Sequence, residues 1–184
     1  MGAGFPDLVS VWYDPKVITL AGFGTEDGHI LAYLRSVRCA KMKTVADRLR
    51  YAVELVDERI TALEHSLMVD RLPGESFSIA PAWRQILPEV VAIEAKVSNW
   101  KSALQQAIRN CIFSHKSFVA LPSVIAERVA DSKGFALHGV GILSVSTTGE
   151  VTVFREARKN VPSVWNYYFH LAAITAKDIN DRSK

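Results

Sequence analysis

The stretch Pro88-Glu89-Val90-Val91-Ala92-Ile93-Glu94-Ala95-Lys96-Val97-Ser98-Asn99-Trp100 carries the residue types best suited to chemistry in this chain. Read as a strand over 89–97, its side chains alternate, so Glu94 and Lys96 project from one face while Ile93 and Ala95 point the other way into the core. An acid and an amine held side by side can divide labour. The carboxylate binds a hard divalent cation, and the lysine orients or helps deprotonate the water that attacks a phosphodiester. One carboxylate is a poor magnesium site, so a second should converge on the same edge. Glu89, on the opposite side of the strand, ranks below that second acid. The bland alternative is an ion pair at a strand end with no chemistry.

The elements that must position this pair follow from periodicity. After Lys96, Trp100, Ala103, Leu104, Ala107, Ile108, Cys111 and Ile112 repeat at helical spacing and define a buried stripe over 100–113. Lys101, Gln105 and Arg109 fall on its open side, and Gln106 and Asn110 form an i, i+4 pair on one flank. Strands are expected at 118–121, 141–145 and 151–154, with helices at 122–130 and 163–177, so strand and helix alternate as in a mixed α/β sheet covered by helices. Upstream, 8–12 and 17–20 read as short β-prone runs around Tyr13-Asp14-Pro15-Lys16. Between 25 and 80 the pattern is helical. Ile30, Leu31, Leu34 and Val37 form one stripe, Val45, Ala46 and Leu49 a second, and Val53, Val56, Ile60 and Leu63 a third, before two alternating strands flank Pro73-Gly74-Glu75.

Composition narrows the function classes. The 184 residues are 49% hydrophobic and 22% charged, which suits one folded domain or two small ones. The net charge of +3 is too small to imply nucleic acid by itself. Its distribution is uneven: 1–24 and 25–80 each carry −1, and 81–184 carries +5. Within 25–80, Arg35, Arg38, Lys41, Lys43, Arg48 and Arg50 cluster against Asp47, whereas Glu54, Asp57, Glu58 and Glu64 outnumber Arg59 on the third helix. A DNA face on the basic segment or a protein-interaction role for the module therefore stands level with major-groove reading by the third helix. Cys39 and Cys111 lie far apart with no ligand cluster, which argues against a zinc ribbon or disulfide scaffold and for a reducing compartment. The five histidines show no metal-ligand spacing. Gly139-Val140-Gly141 lacks the third glycine of a dinucleotide fingerprint and no phosphate-binding GxxxxGK loop occurs, so no nucleotide cofactor is expected. The start has no basic region before an apolar run, and no stretch approaches the roughly 18–20 apolar residues of a membrane span. A cytoplasmic protein with no membrane partner is the expectation. The aromatic group Trp165, Tyr167, Tyr168 and Phe169 is expected to pack on the sheet or a twin subunit rather than on bases.

Two resemblances sharpen this. Helix, helix, helix and hairpin over 25–80, ending in RITALEHSLMVDRLPGESFSIAP, resembles a winged helix-turn-helix in layout. Glu94-Ala95-Lys96 resembles the (D/E)XK element of the PD-(D/E)XK nuclease superfamily, the restriction-endonuclease-like fold, and Pro6-Asp7 resembles its PD element. The resemblance implies a restriction-endonuclease-like mixed sheet flanked by helices, formed by 1–24 and 81–184 and interrupted by the winged-helix insertion 25–80. Residues 5–12 would then lie beside 90–96. It further implies Asp7 and Glu94 as ligands of Mg2+ or Mn2+, with the Ala95 carbonyl as a further ligand and Lys96 as the catalytic lysine. Gln106 sits where some branches carry a QxxxY motif, with Asn110 replacing the tyrosine, and would orient the lysine or the scissile phosphate. The chain begins almost at the PD element, leaving a shortened chain, a degenerate enzyme or a strand from another subunit as alternatives. The implied function is metal-dependent hydrolysis of DNA, with the basic residues of 35–50 and Lys101 and Arg109 as nucleic-acid contacts. A non-catalytic DNA-binding or regulatory protein on the same fold is the runner-up, and a homodimer is left open.

Overall fold

The computed structural model describes residues 6–183. In chain order the elements are β1 (Leu8–Trp12), a 3-10 segment (Pro15–Gly22), α1 (Thr25–Ser36), β2 (Ala40–Lys41), α2 (Met42–Leu49), α3 (Val53–His65), β3 (Val69–Leu72) and β4 (Ser76–Ile79), then a short 3-10 turn (Pro81–Trp83). They continue as β5 (Glu89–Ala95), α4 (Trp100–Asn110), β6 (Lys116–Pro122), α5 (Ser123–Val129), α6 (Lys133–His138), β7 (Gly141–Val145), β8 (Val151–Arg155) and α7 (Trp165–Arg182). The chain is α/β and forms two compact units, residues 6–12 with 89–163 and residues 13–88 with 164–183.

The first unit is built on a mixed five-stranded sheet of order β1-β5-β6-β7-β8. β5, β6 and β7 run parallel, while β1 and β8 are antiparallel edges. Parallel neighbours cannot be joined by a tight turn, so helices make the crossovers: α4 joins β5 to β6, and α5 and α6 join β6 to β7. Asn99 starts α4 by accepting the Ser102 N–H at 3.2 Å. The small side chains Ala103 and Ala107, with Leu104 between them, then share one buried cluster with Val119 and Leu121 of β6 and Ile142 of β7. Gly141 has a packing reason: a Cβ there would sit 2.3 Å from the Phe118 ring on the neighbouring strand. β1 lies beside β5, from Leu8 opposite Ile93 to Trp12 opposite Glu89, the pairing expected of 5–12 and 90–96; Phe5 lies outside the described residues.

In the second unit, Asp14 Oδ1 accepts the Lys16 N–H at 3.1 Å and Pro15 sets φ for the first turn. Val17 and Leu20, expected in a β run, are buried three residues apart on a 3-10 turn instead, the spacing that places two side chains on one face of such a helix. The expected stripes supply the buried residues of α1 to α3: Ile30, Leu31 and Leu34; Val45 and Ala46; Val56, Ile60 and Leu63. The expected hairpin β3–β4 turns at Gly74, where φ is +77°, and β2 adds a third strand to give the order β2-β4-β3.

The unit boundaries differ from the expected 1–24, 25–80 and 81–184 because of α7. Its buried face, Tyr168, Phe169, Ala172 and Ala176, packs on α1 and the 3-10 segment, and not on the sheet as expected for the aromatic group. The Tyr168 hydroxyl donates to the Leu87 carbonyl at 3.0 Å and accepts the Leu87 N–H at 2.8 Å, and burial pushes its pKa up to about 12. These interactions draw 13–24, 81–88 and 164–183 into the helical unit. Its long excursion is closed at the base, where the Asp14 N–H donates to the Ile86 carbonyl at 3.0 Å.

Candidate active site

The site lies at the carboxyl end of β5. Backbone N–H groups of a strand alternate in direction, and here the Lys96 N–H turns to β6 and reaches the Ala120 carbonyl at 3.1 Å. The Ala95 N–H therefore faces β1. The β1 ladder has ended at Leu8 opposite Ile93, and the Asp7 carboxylate takes the place of the missing rung, its Oδ2 accepting the Ala95 N–H at 2.8 Å. Pairing of β1 with β5 thus delivers the Asp7 side chain to the Glu94-Ala95-Lys96 triplet, although the two are far apart in sequence.

The Lys96 ammonium joins the two acids. Its Nζ lies 3.1 Å from Asp7 Oδ2 and 4.0 Å from Glu94 Oε2. The Ala95 N–H first, and Lys96 second, hold the Asp7 carboxyl below the usual carboxylate range. As carboxylates, the two acids leave one net negative charge against the single ammonium. Glu94 differs from Asp7 in burial: its side chain is 2% exposed, against 44% for Asp7. Asn110 Nδ2 donates to Glu94 Oε1 at 2.8 Å, which leaves Glu94 Oε2 buried with no hydrogen-bond partner. A buried carboxylate oxygen without a donor is costly, and a water, a ligand donor or a cation can satisfy it.

This corrects the expected facing of the strand. Glu94 shares the covered face with Val90 and Ala92, whereas Ile93 is only partly covered and Ala95 is exposed. The reason is α4, which lies over the Glu94 face and brings Asn110 to it. Gln106, one turn nearer the start of α4 than Asn110, also carries a buried oxygen, Oε1, without a partner. Glu89, the lesser candidate acid, is engaged at the other end of β5 by Lys116 at 3.0 Å.

The expected nucleic-acid residues divide in two. Lys101 and Arg109 are exposed on α4, in the same unit as the carboxylates, with Lys101 Nζ 5.7 Å from the centre of the Trp100 ring. Arg38, Lys41, Lys43, Arg48 and Arg50 are exposed on the helical unit. Arg35 departs from that set: its Nε donates to the Arg84 carbonyl at 3.2 Å and its guanidinium lies 4.1 Å over the Trp165 ring. It is used in holding α1 to α7 rather than offered to phosphates.

Among the described residues no group of three or more His, Cys, Asp and Glu side chains converges as a metal cage. The donor set is two carboxylates and the backbone around Ala95, all hard oxygens of the kind that suits Mg2+ or Mn2+ rather than zinc. Among the described residues no helix is long and apolar enough to cross a membrane. No family model, curated protein or solved structure matches this chain.

Proposed function

We propose that the chain is a metal-dependent nuclease of the PD-(D/E)XK type, hydrolysing phosphodiester bonds in DNA, with a winged-helix module between the paired strands that bear its two acids. One observation carries the reading. An ammonium lies within reach of two carboxylates, 3.1 Å from one and 4.0 Å from the other, and the buried acid keeps an oxygen with no protein donor. An ion pair built only for stability would satisfy that oxygen, because an orphaned buried acceptor costs roughly 1–3 kcal/mol.

Asp7 and Glu94 would hold Mg2+ or Mn2+, with the Ala95 carbonyl as a further donor. When bound, the cation supplies charge neutralisation for the phosphate and a more acidic water. The chain's own groups do the rest. Asn110 fixes Glu94 through Oε1, so that Oε2 is the oxygen left to act. The Ala95 N–H holds Asp7 in its ionised form. Lys96 has three N–H donors, and with one given to Asp7 it keeps two for the attacking water or a non-bridging phosphate oxygen, where negative charge grows as the phosphorus–oxygen bond forms and the leaving oxygen departs. Gln106, close in sequence to Asn110 on α4, orients the lysine or the phosphate. The exposed basic residues Arg38, Lys41, Lys43, Arg48 and Arg50 would bind the DNA backbone.

The test is hydrolysis of plasmid and single-stranded DNA with Mg2+ or Mn2+, comparing the wild type with Glu94→Ala and Lys96→Ala. Metal-dependent cutting that both substitutions abolish supports the reading. DNA binding without any cutting would replace it by the regulatory one.

A further inference from the structure

Beside Lys96 the sheet edge opens into a groove of about 490 Å³, lined among others by Lys96, Val97, Ala120, Val124, Val145 and Thr147. It runs across the carboxyl ends of β5, β6 and β7, the edge at which parallel sheets commonly bind ligands. Its walls are mostly aliphatic, and no acidic side chain lines it. Lys96, which gives one N–H to Asp7 at 3.1 Å and keeps two others, stands at one end of it. Val97 and Val124 stand at 80% and 78% exposure, far more open than burial in a core would leave them. The Ser123 hydroxyl is already used, donating to the Val145 carbonyl at 3.2 Å, so the floor offers apolar surface rather than free donors.

We infer that this groove receives the sugar and base of one unstacked nucleotide, whose phosphate lies at Lys96. The inference rests on the nuclease reading and deepens it by naming the state of the substrate. A ligand matching the groove has an anionic end and an apolar, flat body. The groove has the size of a small-molecule site, roughly 300–1,000 Å³, which takes one nucleoside but is too small for a duplex. Chemistry on nucleic acid is often done on a nucleotide taken out of the stack, and stacked bases would leave these aliphatic walls in water. Single strands, frayed ends and flaps therefore bind better than intact duplex.

The experiment measures binding by fluorescence anisotropy in Mg2+, on the full chain carrying Glu94→Gln so that no cutting intervenes. The probes are a short labelled single-stranded oligodeoxynucleotide, a base-free tetrahydrofuran phosphodiester of equal length, and the matched duplex. The expected result is a preference of about fivefold for the base-bearing strand over the base-free chain, what roughly 40 Å² of apolar surface leaving water supplies. Adding Val124→Asp, at a position exposed enough to leave folding intact, should remove that preference while lowering binding of both chains by charge. Equal binding of the two single-stranded probes, tighter binding of the duplex, or a preference that survives Val124→Asp overturns the inference. Plasmid cutting by the wild type is scored separately. Cutting without base preference sinks the groove and leaves the nuclease; base preference without cutting sinks the nuclease and leaves a nucleotide-binding groove.

Discussion

Replacing Glu94 by glutamine should change stability little in EDTA and leave the variant about 2.7 kcal/mol below the wild type in Mg2+. In the metal-free chain, Glu94 is 2% exposed and has one oxygen bonded to Asn110 and one without a donor. An unsatisfied buried acceptor costs about 1–3 kcal/mol. The glutamine carbonyl can keep the Asn110 bond and the carboxylate charge disappears, but the amide then puts two N–H donors where Oε2 stood, buried and facing the Lys96 ammonium. What is lost is attraction to Lys96, and at 4.0 Å with a partly exposed ammonium that is worth about 0.2–1 kcal/mol. Relief of the orphaned acceptor is offset by the orphaned donors and the lost attraction, so without metal the two chains should differ by less than about 1 kcal/mol. With Mg2+ at a hundredfold excess over its Kd, a site that binds only in the folded state gains about 2.7 kcal/mol, and only the wild type should collect it. Urea unfolding of both proteins, in EDTA and in Mg2+, measures all four quantities. A wild type indifferent to Mg2+, or a Glu94→Gln chain that gains as much from Mg2+ as the wild type, would refute the cation site.

Other substitutions test the surrounding structure. Asn110→Ala strips Glu94 Oε1 of its donor and should cost about 1–3 kcal/mol in urea unfolding, a loss that Glu94→Gln in the same chain should reduce. Gly141→Ala forces a Cβ against the Phe118 ring and should destabilise by about 1–3 kcal/mol, read from the urea midpoint. The Val90 N–H donates to His115 Nδ1 at 3.0 Å, and burial holds the imidazole below its ordinary pKa. Below about 6.5 the unfolded chain takes up that proton before the folded one does, so stability should fall as pH drops through this range; His115→Asn should flatten the slope between pH 7.5 and 5. Charge reversal at Lys41 and Lys43 should weaken DNA binding and reduce its salt slope by roughly 0.9 for each phosphate no longer neutralised, and unchanged slopes in a salt titration would remove that face from the interface.

The convergence of the candidate residues was legible because it rests on short patterns. Glu94-Ala95-Lys96 on a strand followed by an amphipathic helix, and Asp7 ahead of a β-prone run, identify residues that the fold then brings within 4.0 Å of one ammonium. The face that Glu94 occupies was not legible. Alternation says which residues share a side of β5, but the covered side is decided by α4, and Ile93 is the better core former by composition. Val17 and Leu20 fit a short strand as well as a 3-10 turn, since two apolar residues cannot fix a period. β2, with two residues, is too short to carry any pattern. The aromatic face of α7 announced burial and not a partner, so the membership of α7 in the helical unit depended on Leu87, Arg35 and Trp165, which only tertiary structure brings together.

The clasp between Asp14 and Ile86 bears on how the acid pair is assembled in time. Strands β1 and β5 must find one another across residues 13–88, a separation that an open chain would bridge slowly and at an entropic cost. If the excursion folds first, its own hydrogen bond brings the ends together, and the effective loop shrinks to a few residues. Each halving of loop length recovers about 0.6 kcal/mol, so about four halvings recover roughly 2.5 kcal/mol of closure entropy. The excursion then serves as an oversized hairpin turn, and the acid pair comes together only after that turn is complete. Loosening the clasp would delay the arrangement of the acids without altering it once formed.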